Sequence, residues 1–246
     1  MALRRKKAVT PTVPVTLADA LVIGNSHTGA IGAALAQNPD PLFRLLNLNE
    51  AAGPGKTPIK LLKESDLPPL PGRAIFSMFG GSEHLVLGLI EMPQPFDLMT
   101  PTDASIDGKR SLITFAQMVA VLDGRIETSR TNWRTIRAAF DGPIWHVAPP
   151  PPFRALREGA ALPEVFREKL SLGIAPAQVR RRLYDAQLTT LRRATASLGI
   201  GLVEPPPQAV DAEGYLRDDL WTKDPTHANG AYGALVLGQM RGLMGD

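Results

Sequence analysis

Ser26 follows a run of strand-forming residues, Leu21-Val22-Ile23-Gly24, and precedes small, helix-compatible residues from Thr28 onward. A serine between a buried strand and a helix projects at the carboxyl edge of an open α/β sheet, where such proteins bind ligands. The helix start lends it partial positive charge, and its own N–H can face a developing oxyanion. A serine hydroxyl is inert without a base. The chain offers four histidines, His27, His84, His146 and His227. His227 is the best placed, because Asp224 stands three residues earlier in Trp221-Thr222-Lys223-Asp224-Pro225-Thr226-His227. One turn then supplies a base and the carboxylate that orients it.

Two other readings of the same turn compete, and a second phosphate candidate stands further along the chain. Gly24, Ser26 and Gly29 occupy the places of G-x-G-x-x-G, with Glu50 where a ribose-binding acid would stand. The middle glycine must lack a side chain for the backbone to approach a pyrophosphate, and Ser26 fills that place. Gly55-Lys56-Thr57 matches the end of a P-loop, but Glu50 replaces its first glycine and Pro58 follows directly. Finally, Ser26 could do no more than cap the helix.

The elements that must position these residues are legible as apolar runs. Five buried strands are expected at 20–24, 43–49, 74–79, 144–148 and 200–203. Helices are expected at 28–36, 115–122, 129–140, 177–198 and 228–243. Alternation of the two predicts a parallel sheet with helices on both faces. Residues 1–17, basic and then Thr/Pro-rich, read as a flexible arm ahead of one domain over 18–246. Residues 92–112 read as an inserted irregular loop, of the sort that often carries a functional loop or lid.

Composition bounds the remaining classes. The 246 residues carry a net charge of +3, largely from Arg4-Arg5-Lys6-Lys7, so no nucleic-acid partner is expected. No apolar run approaches the roughly 20 residues of a membrane span, and no secretory signal follows the basic tetrad. With no cysteine, thiolate metal sites and a Cys nucleophile are excluded. No spacing recommends a His/carboxylate metal site. A cytoplasmic protein without metal or other cofactor is the expectation, with its oligomeric state open.

Taken in order, these blocks resemble the SGNH (GDSL-type) hydrolase superfamily. Gly24-Asn25-Ser26 with Gly29 is similar to its first block, with Asn for Asp and one residue fewer to the glycine. Asp224-Pro225-Thr226-His227 is similar to its last block. Gly80-Gly81-Ser82-Glu83 falls where the family has G-x-N-D, and Gly53 or Gly55 falls at its second-block glycine. The resemblance implies a three-layer α/β/α fold with a five-stranded parallel sheet of flavodoxin-like type. It also implies metal-independent ester hydrolysis through an acyl-serine, with Ser26 as nucleophile, His227 as base and Asp224 orienting it. The oxyanion hole would be the Ser26 and Gly53 or Gly55 N–H groups with Ser82, which stands where the family has an asparagine. Acetyl esters of saccharides are the expected substrates. An acyltransferase using the same triad, or a non-catalytic carbohydrate-binding relative with a degraded hole, is the alternative.

Around that centre, Asn25, His27, Gly80, Gly81, Glu83, His84 and Trp221 are candidate pocket residues. His146 is expected as a hydrogen-bonded core histidine, Glu83 as a support for the loop that carries Ser82, and Trp145 as core. Arg180-Arg181-Arg182 and Arg192-Arg193 read as a solvated helix face.

Overall fold

Along the first and third strands, successive residues enter two different cores, as the period-2 geometry of a strand demands. Ala20, Val22, Ala74, Phe76 and Met78 join one core, and Leu21, Ile23 and Ile75 join the other. All of these residues are buried. A sheet buried on both faces needs a helical layer on each side. The computed structural model, which describes residues 19–51, 53, 57, 59–68, 73–101 and 105–245, has that architecture. The expected arm at 1–17 lies outside the described residues.

In chain order the elements are β1 (Ala20–Gly24), α1 (Thr28–Gln37), β2 (Phe43–Asn47), α2 (Leu48–Ala51), β3 (Ala74–Met78), α3 (Glu83–Gly88), β4 (Phe96–Met99), β5 (Ser111–Thr114), α4 (Phe115–Arg125), α5 (Glu127–Ala139), β6 (Ile144–Val147), α6 (Glu164–Arg167), α7 (Ala177–Ala196), β7 (Gly201–Val203) and α8 (Gly230–Met244). The main sheet runs β2-β1-β3-β6-β7, with every pairing parallel. The fold is thus α/β, with the five-stranded parallel sheet and the doubly wound strand order expected of it. Helices α1 and α8 cover one face; α5 and the second half of α7 cover the other. The order reverses at β1, and the turn carrying Ser26 leaves that strand.

Segment 92–112 departs from expectation. Instead of an irregular loop it contains β4, which pairs in parallel with β5. Phe96 and Leu98 of β4 pack into a third apolar cluster against Met118 and Leu122 of α4 and Leu183 of α7. The arginine run on α7 is a second correction. Arg180 and Arg182 are 3% and 2% exposed. Arg180 donates to the carbonyls of Phe153, Arg154 and Ala175. Arg182 pairs with the buried Asp97 of β4 at 2.6 Å. The helix period placed these side chains on the polar face. The chain then built partners over that face.

Contact between α1 and α8 registers the two ends of the chain. At Gly233 of α8 a Cβ would sit against the Ala30 carbonyl and the Ile31 nitrogen of α1, well inside van der Waals distance. These are backbone atoms, so no rotamer change relieves the clash. Alanine would improve helix propensity by about 1 kcal/mol, but overpacking costs about 3 kcal/mol at the upper end of its range. Gly233→Ala is therefore expected to cost a net of about 2 kcal/mol and to lower Tm by about 4–8 °C for a domain of this size. An unchanged thermal melt would show that the helices can part freely there.

Candidate active site

The turn after β1 is shaped by one close approach. A Cβ at Gly24 would collide with the Met78 carbonyl of the neighbouring β3, so only glycine lets the two strands stay paired to their ends. The chain then turns through Asn25-Ser26-His27. The Asn25 carbonyl accepts from both the N–H and the hydroxyl of Thr28, at 3.0 and 2.6 Å. His27, not Ser26, is the residue before the first turn of α1, and no side chain caps that helix. Ser26 is exposed. Its hydroxyl and its backbone N–H make no hydrogen bond among the described residues, so capping does not account for this serine.

Opposite stands the Asp224–His227 pair. His227 Nδ1 lies 2.7 Å from Asp224 Oδ2. The other carboxylate oxygen accepts from the Thr226 N–H and hydroxyl, at 2.8 and 2.7 Å. Burial opposes ionisation of Asp224. The bonds from His227 and Thr226 outweigh it and hold the carboxyl below its ordinary range. His227 Nε2 is buried and has no hydrogen-bond partner among the described residues. Ser26, His27 and His227 line one cleft of about 490 Å3, with Pro150, Thr222 and Tyr232. No hydrogen bond joins Ser26 to His227 in this structure. Unliganded catalytic contacts are often long and tighten when substrate arrives.

Behind the pair lie the other histidines. The His27 and His227 rings are 5.3 Å apart between centroids, and Ser82 Oγ lies 3.4 Å from His27 Nε2. His84, expected as a pocket residue, is buried edge-on to Tyr184, with no side-chain hydrogen bond to its ring among the described residues; the Gly81 backbone is the neighbour that favours its charged form. His146 meets Ser77 Oγ at 3.1 Å through Nδ1, while its Nε2 is orphaned, so the core reading is half met. Burial, first of all causes, pushes His27, His84 and His146 down to about 3. All three are neutral at ordinary pH. No group of three or more His, Cys, Asp or Glu that could hold a metal occurs among the described residues.

The expected oxyanion donors are placed unevenly. The Gly53 N–H, on a residue with φ +82°, is engaged by the Glu50 carbonyl at 2.9 Å. Gly55 lies outside the described residues. The Gly81 N–H is engaged by Glu83 Oε2 at 3.0 Å, so Glu83 does brace this loop. Burial pushes the Glu83 carboxyl up against its hydrogen bonds. Gly80 and Gly81 take φ of +66° and +97°, conformations that favour glycine. Trp221 is largely buried edge-on to Phe153. It borders a separate cleft of about 410 Å3 that meets the first at Thr222. Trp145 is partly buried, stacked on Phe76.

Two groups escaped the sequence reading. Asn49, just past β2, accepts from Asn25 Nδ2 at 3.2 Å through Oδ1. This leaves its own amide N–H groups turned elsewhere, and it lines a second cleft that also contains Ser26. Lys60 and Arg125 line that cleft too. Position just after the second strand was the available signal for Asn49. Nothing local marks the two cations.

The chain resembles the SGNH-type hydrolases. Its strand order is the one that resemblance implies. No family model matches the chain, and no curated protein does. Among solved structures it is similar to a putative platelet activating factor from Streptococcus pneumonia, at 12% identity and TM-score 0.47, covering 94% of this chain and 86% of that one. A second is an extracellular lipase from Streptomyces rimosus, at 11% identity and TM-score 0.46, covering 91% and 99%. A third is a GDSL-like lipase from Bacteroides thetaiotaomicron, at 10% and 0.42, covering 91% and 86%.

Proposed function

We propose that this protein is an SGNH-type serine esterase acting on a small acyl ester, with an acetylated saccharide as the favoured substrate class. One observation carries the reading. A serine free of any capping role shares a cleft at the carboxyl end of the parallel sheet with a histidine. That histidine is held by a carboxylate through Nδ1, and its Nε2 has no partner among the described residues.

In this mechanism Ser26 Oγ attacks the ester carbonyl while His227 Nε2 takes its proton. The tetrahedral intermediate collapses with the C–O bond of the alcohol breaking, and His227 returns the proton to the leaving oxygen. Water then repeats the sequence on the acyl-serine, again through His227, and regenerates the hydroxyl. Asp224 keeps Nδ1 protonated and stabilises the imidazolium. The Ser26 N–H and the Ser82 hydroxyl are the donors assigned to the oxyanion, with the Asn49 amide as the group that supplies what Ser82 is too short to reach. The engaged Gly53 amide favours the second reading, a ligand-binding relative whose hole is degraded. An acyltransferase would use the same steps with a sugar hydroxyl in place of water.

Labelling by a fluorophosphonate probe separates these readings. The native chain is expected to label, Ser26→Ala not at all, and His227→Ala only weakly. A folded native chain that stays unlabelled would sink the enzyme reading and leave binding. Faster loss of ester with new acylated sugar on adding an acceptor would favour the transferase.

A further inference from the structure

The second cleft beside Ser26, of about 440 Å3, differs from the first in charge. It is lined by Lys60 and Arg125 together with Asn49, Thr128, Ser129 and Asn132. Both cations are exposed, and neither makes an ion pair among the described residues.

Arg125 is unpaired although acids flank it closely. Asp123 and Glu127, two residues away on either side, turn instead to Arg130, at 2.6 and 2.5 Å, and Glu127 also takes Arg134 at 3.0 Å. The junction of α4 and α5 therefore satisfies its carboxylates with the arginines of α5 and leaves Arg125 facing the cleft.

Lys60 is carried by a segment anchored from two sides. Asn132 of α5 is itself buried. Its Nδ2 donates to the Lys60 carbonyl at 3.0 Å, and its Oδ1 accepts the Leu62 N–H at 2.8 Å. From the other side Asn25, adjacent to Ser26, donates through Nδ2 to the Ile59 carbonyl at 3.4 Å. A residue one bond from the nucleophile and a buried amide of the opposite layer thus hold the same short segment, and Lys60 is what it presents. The one carboxylate in this cleft, Glu83, has Oε2 engaged by the Gly81 N–H and by Gln187 Nε2 at 3.0 and 3.1 Å. Glu83 also feels the charge of Arg125, which favours its ionised form against burial, and the two cations outnumber it in the cleft.

We infer that this cleft is a subsite for an anionic group of the ester substrate, a carboxylate or phosphate held by Lys60 and Arg125 while the ester carbonyl lies at Ser26. The inference rests on the esterase reading for the identity of the ligand as a substrate, but the binding of the anion stands separately. Ionised hydrogen bonds of this kind are the strong ones, and here they sit in a partly enclosed, hydrogen-bonding wall. The anion can belong to the acyl or to the alcohol portion.

Three small esters distinguish these sources: neutral 4-nitrophenyl acetate, mono-4-nitrophenyl succinate with its carboxylate on the acyl side, and 4-acetoxybenzoate with its carboxylate on the leaving phenol. Lys60→Ala/Arg125→Ala is expected to lower kcat/KM for at least one anionic ester by about ten- to a hundredfold, through KM. The neutral ester should change by less than about threefold. Raising the ionic strength should weaken the native preference and leave the double variant unmoved. Equal losses on neutral and anionic esters would overturn the subsite.

Binding gives a readout free of turnover. Equilibrium dialysis of the Ser26→Ala variant against the two anionic esters should show binding that Lys60→Ala/Arg125→Ala removes. If that holds while the native chain hydrolyses nothing, the subsite stands and the esterase reading falls. If Ser26→Ala binds neither anionic ester, or binds them as well without the two cations, the subsite is refuted.

Discussion

Asparagine in place of Asp224 is expected to lower kcat by about 10⁴-fold with KM little changed, as loss of the correct imidazole tautomer does in a triad of this logic. The local geometry dictates which way the new amide faces. Oδ1 of Asp224 accepts two bonds from Thr226, so the amide oxygen must stay on that side; its NH2 would meet two donors there. The amide nitrogen then occupies the Oδ2 position, 2.7 Å from His227 Nδ1. It donates, and Nδ1 must become the acceptor. The ring proton moves to Nε2, which therefore cannot take a proton from Ser26. Thr226 and the backbone of the turn keep their partners, so the variant should fold and bind as the native chain does. Steady-state kinetics beside a thermal melt measure both parts. A fall in kcat of less than tenfold in a folded variant would remove Asp224 from the mechanism.

Both ends of this site were legible for the same physical reason. A serine after an apolar run and a histidine one turn after an aspartate are local patterns, although some 200 residues separate them. The central strands β1 and β3 were legible because they are buried on two faces and therefore nearly continuous in apolar character, while the edge strands β2 and β7 are only partly buried. What could not be read are features whose partners lie far away in the chain. Arg180 and Arg182 look solvated on a helical wheel, and become buried only because β4 brings Asp97 and the 153–154 segment brings its carbonyls. The β4–β5 pair was hidden because four-residue strands among prolines carry little period-2 signal. The glycine matched to the family's hole said nothing of its amide, which a local turn engages at Gly53. Lys60 reaches the cleft that Arg125 also lines because Asn132 and Asn25 fasten the 59–62 segment.

The buried histidines give the second large effect, a steep loss of stability in mild acid. His27, His84 and His146 are each pushed by burial from 6.5 to about 3 in the folded chain. The unfolded chain binds protons on all three near 6.5, the folded chain only near 3. A depressed histidine therefore contributes stability that is fully present above 6.5 and is lost as pH falls from there toward 3. At pH 5 each neutral histidine forfeits roughly 2 kcal/mol, and the three together about 6 kcal/mol. That is comparable to the whole stability of an ordinary domain, about 5–15 kcal/mol. Carboxylates such as Asp224 act in a lower window, since their stabilisation declines only as pH falls below the unfolded value of about 3.9. The urea midpoint should accordingly drop sharply between pH 7.5 and 5, above the window in which Asp224 titrates; Glu83, raised by burial, offsets part of the loss as it takes up a proton. His84 isolates the cause, because no side chain among the described residues is hydrogen-bonded to its ring and so none is orphaned. His84→Leu is expected to keep neutral-pH stability and to flatten the pH slope by about a third, its one proton of three. A native midpoint that stays level from pH 7.5 to 5 would show that these rings are reached by water, and that the cluster behind Ser26 is open rather than dry.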